Sequence, residues 1–294
     1  MIFNSGQFFF FFIAVYLLYL KLPHRWQNIT LLVASYIFYG AWDVRFLILI
    51  FVSTVVDYSA GILIYENQES NRIQAAKRWM ILSVVVNLGI LGFFKYFNFF
   101  AENFTDFVHI FGWQVSNPTL QIILPAGISF YTFQTMSYSL DIYRGQLKPT
   151  RHFFDFALFV SFFPQLMAGP IERARRLLPQ VMKPRHITSE MITEGGWLIL
   201  WGVFKKVFIA DNLAPYTFWS DTMTMSPTAG DIYVGSLAFL LQFYCDFSGY
   251  SDMARGLASL MGFKLTLNFN LPYFSTNPSA FWGRWHITLS SWLR

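Results

Sequence analysis

The chain has 294 residues, of which 55% are hydrophobic, 20% aromatic and 13% charged, with a formal net charge of +5 and a mean hydropathy of +0.42. So few charges cannot cover a soluble surface of this size, and a single cysteine, Cys245, cannot build a disulfide framework. With no basic stripe of the kind a nucleic-acid reader needs, the composition points to a polytopic membrane protein whose partner is a lipid bilayer and not a nucleic acid, and the apolar runs below make the expected fold all-α.

Phe8 to Leu20 is a continuous apolar run with no basic leader before it and no small-residue cleavage site after it, so it is expected to be a retained first helix. Asn28 to Trp42 and Phe46 to Tyr65 follow as the second and third, the latter burying Asp57. Met80 to Phe100 makes a fourth helix, and Leu120 to Tyr143 a fifth that carries Pro125 and Gly127. Lys21 and Arg25, then Arg72, Lys77 and Arg78, then Arg144, Lys148 and Arg151 follow helices one, three and five. The loop after helix two has Arg45 alone, and Glu102 to Pro118 has no lysine or arginine. The positive-inside rule therefore predicts an extracytoplasmic N-terminus in a multi-pass protein.

The second half is less regular. Phe153 to Met167 is apolar but short, and Ala168-Gly169-Pro170 and the arginines Arg173, Arg175 and Arg176 close it, as expected of a re-entrant element. Ile192 to Ala210 is helical in pattern but interrupted by Lys205 and Lys206. Ile232 to Phe247 runs apolar until Asp246, and Met253 to Gly262 is short again. Half-length helices around buried charge predict a polar cavity, and no repeat or linker divides residues 1–294, which are expected to form one domain.

Four features carry possible chemistry. A helix from Ser279 to Arg294 would put Trp282, His286, Ser290 and Leu293 near one face, and a neutral imidazole there can take a proton from a hydroxyl, with Arg284 disfavouring the imidazolium form. An interfacial amphipathic helix with snorkelling Arg284 and His286 explains the same pattern. Asp246 to Asp252 lacks the ligand series of a calcium loop and the second glycine of a hydrolase elbow, leaving a polar wall or a network that closes a helix break. Cys245 has no activating base beside it and reads as a small hydrophobe; the basic run from Arg173 to Arg185 reads as topogenic. No metal site is expected. Asp57, Lys95, Lys205, Asp246 and Asp252 would also suit a membrane transporter, although no inverted repeat is visible.

Pro125 to Gln134, Phe162 to Arg173, Asp246 to Asp252 and Phe281 to Arg294 together resemble the membrane-bound O-acyltransferase (MBOAT) family, and Trp201 to Lys206 with Ile209 to Asn212 resemble its alginate O-acetyltransferase branch. Related teichoic-acid D-alanyl transferases share several of these motifs. The resemblance implies a helical bundle with re-entrant segments around a tunnel, in a bacterial inner membrane. It implies transfer of an acyl group, acetyl in this branch, from a cytoplasmic thioester donor (acetyl-CoA or an acyl-carrier protein) to hydroxyls of an extracytoplasmic polysaccharide such as alginate. Other polysaccharide O-acetylation proteins are the implied partners, and no bound cofactor is implied. Arg284-Trp285-His286-Ile287-Thr288-Leu289-Ser290 matches the family's Arg-Trp-His motif, which carries a catalytic role onto His286, with Arg284 or backbone amides near Gly283 supplying positive potential. Family members continue past this point to further spans and a second histidine; His24, His109, His152 and His186 sit in no matching motif, so the chain is expected to be truncated and inactive alone.

Overall fold

The computed structural model describes residues 1–111, 124–217 and 227–294, and among these every regular element is helical. In chain order they are α1 (Gly6–Lys21), α2 (His24–Gly40), α3 (Leu47–Glu69), α4 (Ile73–Ile110), α5 (Ile128–Tyr143), α6 (Phe153–Ser161), α7 (Phe163–Leu166), α8 (Ala174–Met182) and α9 (Ser189–Val203). A π-helical segment, Phe204–Ala210, and the single turn α10 (Asp211–Leu213) follow, then α11 (Ala229–Leu260), α12 (Pro278–Trp282) and α13 (Ile287–Leu293).

Local chemistry sets the starts. The Ser5 hydroxyl accepts from Phe8 N at the head of α1, and Thr188 does the same for Met191 N at α9. Thr228 and Asp231 form a reciprocal capping box on α11. The segments Val44–Glu69 and Ile73–Ile110 are long and apolar enough to cross a membrane. Helices α1, α2 and α5 have 16, 17 and 16 residues, a rise of roughly 24–26 Å against a hydrocarbon core of about 30 Å.

Three expectations are corrected. Pro125 and Gly127 lie outside the fifth helix, which begins at Ile128; Gly127 has φ 71°, and a Cβ there would stand 2.3 Å from Leu166 O. The start of that expected helix, 120–123, and the loop residues 112–118 lie outside the described residues. The two half-helices around Asp246 to Asp252 are one continuous helix of 32 residues. Nor do Ser279 to Arg294 form one helix: α12 ends at Trp282, α13 begins at Ile287, and His286 between them has φ 40°, so the expected single face is absent.

Helix α9 continues through a π-helical segment, a wider turn that is rare outside functional or strained sites. There the consecutive residues Lys205 and Lys206 reach different acids on α11: Lys205 Nζ lies 2.7 Å from Asp252, and Lys206 Nζ lies 2.7 Å from both Asp246 and Asp211. This neutralisation lets α11 run unbroken past both acids. An aromatic core from α1, α2 and α7 fills the other side, with Phe38 5.7 Å from Phe8 and 5.8 Å from Phe163 between ring centroids. The Ser35 hydroxyl meanwhile accepts from Phe163 N.

Candidate functional site

Residues 264–294 form a hairpin laid against α11. Its rising arm alternates Leu265, Thr266, Leu267, Asn268, Phe269, Asn270, and its returning arm pairs with it antiparallel: Asn270 N donates to Arg284 O at 2.9 Å, and Ile287 N to Asn268 O at 2.8 Å. The turn between the arms carries α12, capped by Asn277 and started by Pro278. Near the apex, Tyr273 Oη donates to Leu240 O in α11 at 2.7 Å.

On the returning arm, the His286 imidazole sits among Phe247 (4.8 Å, edge-on), Phe269 (6.1 Å, stacked) and Phe130 (6.3 Å). Its Nε2 is buried and has no hydrogen-bond partner among the described residues. Burial pushes its pKa down to about 4, so the ring is neutral at ordinary pH. Burial is the cause of that shift, not Arg284, contrary to the expectation from sequence.

The surroundings bring the four separated motifs together. Phe130 and Phe133 come from the first; Phe133 packs on Trp292 at 4.7 Å and its carbonyl accepts from Trp292 Nε1. Ile171 and Arg173 come from the second: Ile171 N donates to Thr288 Oγ1 at 3.1 Å, and Arg173 to Ser291 O at 2.7 Å. The third supplies Phe247 and Ser251. The fourth supplies His286, Thr288 and Trp292.

Glu172 is buried beside the hairpin, where its Oε1 accepts from Thr266 N while Oε2 has no partner among the described residues; burial raises its pKa. Backbone amides near Gly283 are not free for an oxyanion, because Gly283 N donates to Ser279 O, and Arg284 N and Trp285 N both donate to Phe281 O. That expected contribution is therefore withdrawn, and of the two candidates the Arg284 side chain remains.

Other candidates fall elsewhere. Cys245 is buried in α11, as a small hydrophobe is. Of the five ionisable groups that suited a transport path, Asp57 and Lys205 are buried, Asp246 and Asp252 are half-buried, and Lys95 is exposed, reaching Ser129 Oγ at 3.3 Å. Asp57 accepts from Ser83, from Asn87 at 2.7 Å and from Ser139 at 3.0 Å, a network that ties α3, α4 and α5 together. Arg185, at the end of the basic run, donates to Tyr19 Oη at 2.8 Å and lies 4.6 Å over the Phe263 ring. No group of three or more potential metal ligands occurs among the described residues. His24, His109, His152 and His186 start α2, end α4, cap α6 and precede α9.

Sequence reasoning missed Asn268 and Phe269. Their signal was the apolar-polar alternation of Leu265 to Leu271, which reads as an extended arm and not as a helix.

The family model described as MBOAT, membrane-bound O-acyltransferase family, matches residues 146–294. The chain is 46% identical, over 295 aligned positions, to the Pseudomonas aeruginosa protein named "Probable alginate O-acetylase AlgI", covering all of this chain and 56% of that relative. It is 37% identical to a peptidoglycan O-acetyltransferase of Helicobacter pylori, covering all of this chain and 60% of the relative. A teichoic acid D-alanyltransferase of Bacillus subtilis is more distant, at 29% identity over 62% of this chain and 46% of its own length. The chain thus spans little more than half the length of the acetylating relatives.

Proposed function

Because this chain belongs to the membrane-bound O-acyltransferase family, we propose that it carries the acyl-transfer centre of a polytopic O-acetyltransferase, which moves an acetyl group from a cytoplasmic thioester to hydroxyls of an extracytoplasmic polysaccharide such as alginate. The observation that carries this reading is His286: phenylalanines from three distant segments build an apolar nest around an imidazole whose buried Nε2 has no partner among the described residues. The names of the alginate and peptidoglycan relatives support acetyl transfer to a polysaccharide over D-alanyl transfer. Transport is not favoured, because Lys205 and Lys206 are held in ion pairs that join α11 to the π segment.

The chemistry asked of the site is modest. An acceptor hydroxyl attacks the thioester carbonyl, the C–O bond forms, the C–S bond breaks, and the departing thiolate takes the proton that the hydroxyl gave up. A neutral imidazole is suited to hold that proton between the two oxygen and sulfur partners, and its dry aromatic surroundings keep water from competing. In this reading His286 works beside the second histidine of the family. Arg284 offers positive charge for the carbonyl oxygen as it becomes negative.

The proposed setting is a bacterial inner membrane with the N-terminus outside, since basic residues gather around the junctions that follow α1, α3 and α5. The donor, acetyl-CoA or an acyl-carrier protein, then approaches from the cytoplasmic side, and partner proteins of polysaccharide O-acetylation from the other. The test is acetyl transfer from a radiolabelled thioester in membranes holding the full-length protein at matched expression. Loss of transfer in His286→Ala supports the reading; wild-type turnover in that variant removes His286 from the reaction.

A further inference from the structure

We propose that Asn268 is a positioning residue for His286, the buckle that holds the turn presenting the imidazole; this rests on His286 taking part in transfer.

The backbone at His286 is left-handed, φ 40° and ψ 54°, a region that disfavours residues with a Cβ and persists only where the surroundings impose it. Asn268 holds the two residues that follow the histidine. Its carbonyl accepts from Ile287 N at 2.8 Å, the first amide after the histidine. The Oδ1 atom accepts from Thr288 Oγ1 at 2.9 Å and from Thr288 N at 3.4 Å. Its Nδ2 donates to Ser251 Oγ on α11 at 3.3 Å. Thr288 Oγ1 in turn accepts from Ile171 N, so one fully buried side chain joins the hairpin, α11 and the loop before α8.

The neighbours of Asn268 work in the same direction. Phe269 stacks on the imidazole with its plane tilted 14°, and Asn270 N holds Arg284 O. A side chain unable to accept from Thr288 leaves a buried hydroxyl and a buried amide without their partner, and the turn then relaxes towards an ordinary conformation. A shift of about 1 Å at a proton-transferring group costs on the order of 100-fold in rate.

The experiment uses the full-length protein in lipid nanodiscs, with two readouts: acetyl transfer, and the rate at which diethylpyrocarbonate modifies His286, followed by mass spectrometry. Asn268→Ala and Thr288→Val are each expected to lower kcat roughly 10- to 100-fold with little change in KM, and to raise the modification rate of His286. Thr288→Ser, which keeps the hydroxyl, is expected to stay near wild type in both. Thr288→Val is isosteric and serves where Asn268→Ala does not fold. Unchanged His286 reactivity in Thr288→Val and Asn268→Ala overturns the buckle, whatever the turnover. A raised reactivity together with an active His286→Ala variant overturns instead the role of His286 in transfer, and leaves Asn268 as the holder of the turn.

Discussion

Gly202 and Gly249 meet backbone to backbone: a Cβ on Gly202 would stand 2.6 Å from Gly249 O, and one on Gly249 would stand 2.8 Å from Gly202 O. One heptad away, Gly195 and Gly256 repeat the arrangement, with a Cβ on Gly256 placed 2.6 Å from Gly195 O. The two pairs let α9 lie directly on α11, the helix that supplies Phe247 and Ser251 to the site, as small residues do between membrane helices.

Gly202→Ala is therefore expected to destabilise the protein by about 1–3 kcal/mol, because the facing atoms are backbone and cannot swing away. Gly196→Ala, one residue beyond Gly195 and with nothing within 4 Å of an added Cβ, is expected to be neutral or stabilising. Thermal unfolding of both variants in the same detergent checks the contrast; a Gly202→Ala protein as stable as Gly196→Ala would show that the contact with Gly249 has room for a methyl group and does not set the helix spacing.

Lys205 and Asp252 form a pair whose side chains are 7% and 16% exposed, with Ser248 Oγ 3.0 Å from the same ammonium. Lys205→Met is expected to cost about 3 kcal/mol, since it leaves Asp252 with Arg255 alone, at 3.3 Å. Adding Asp252→Asn should recover part of that loss. A double-mutant cycle by chemical denaturation measures the coupling, and additive losses would show that the pair contributes nothing as a pair.

A pKa of about 4 against an ordinary value of 6.5 fixes the sign of the pH dependence at His286. The folded state resists protonation that the unfolded state accepts, so its contribution to stability is full above about pH 6.5 and is lost as pH falls towards 4. Buried Glu172, whose pKa is raised, acts in the opposite sense: its contribution is lost as pH rises through its folded value. The measurement is the difference in unfolding free energy between wild type and His286→Gln across that window. Wild type should lose stability faster on acidification, and parallel curves would refute the burial of the imidazole.

The carboxylate of Asp57 receives only donors, from Ser83, Asn87 and Ser139, while Thr135 Oγ1 donates to Asn87 Oδ1 at 3.1 Å. Asp57→Asn turns one acceptor into a donor and sets two amide groups against each other. We expect a loss of about 1–3 kcal/mol. Asn87→Asp alone should also destabilise. Unfolding temperatures of the two variants test this, with an unchanged Asp57→Asn protein counting against the network.

Composition and apolar spacing were enough for the broad class of the protein. With 55% hydrophobic and 13% charged residues the composition points to a membrane, apolar runs of helical length point to helices, and most helices of the first half lie within a few residues of those runs. The motif around His286 likewise pointed to the residue around which the structure gathers three phenylalanines. Tertiary structure decided what depends on partners distant in the chain. Asp246 and Asp252 looked like a helix break because their neutralising lysines, 40 and 47 residues away, are invisible to local pattern. His286 looked helical because its spacing to Trp282 and Ser290 fits a helix. What unwinds it is Asn268, which competes for the amides and hydroxyl at 287 and 288 and is brought beside them only when the hairpin closes on α11.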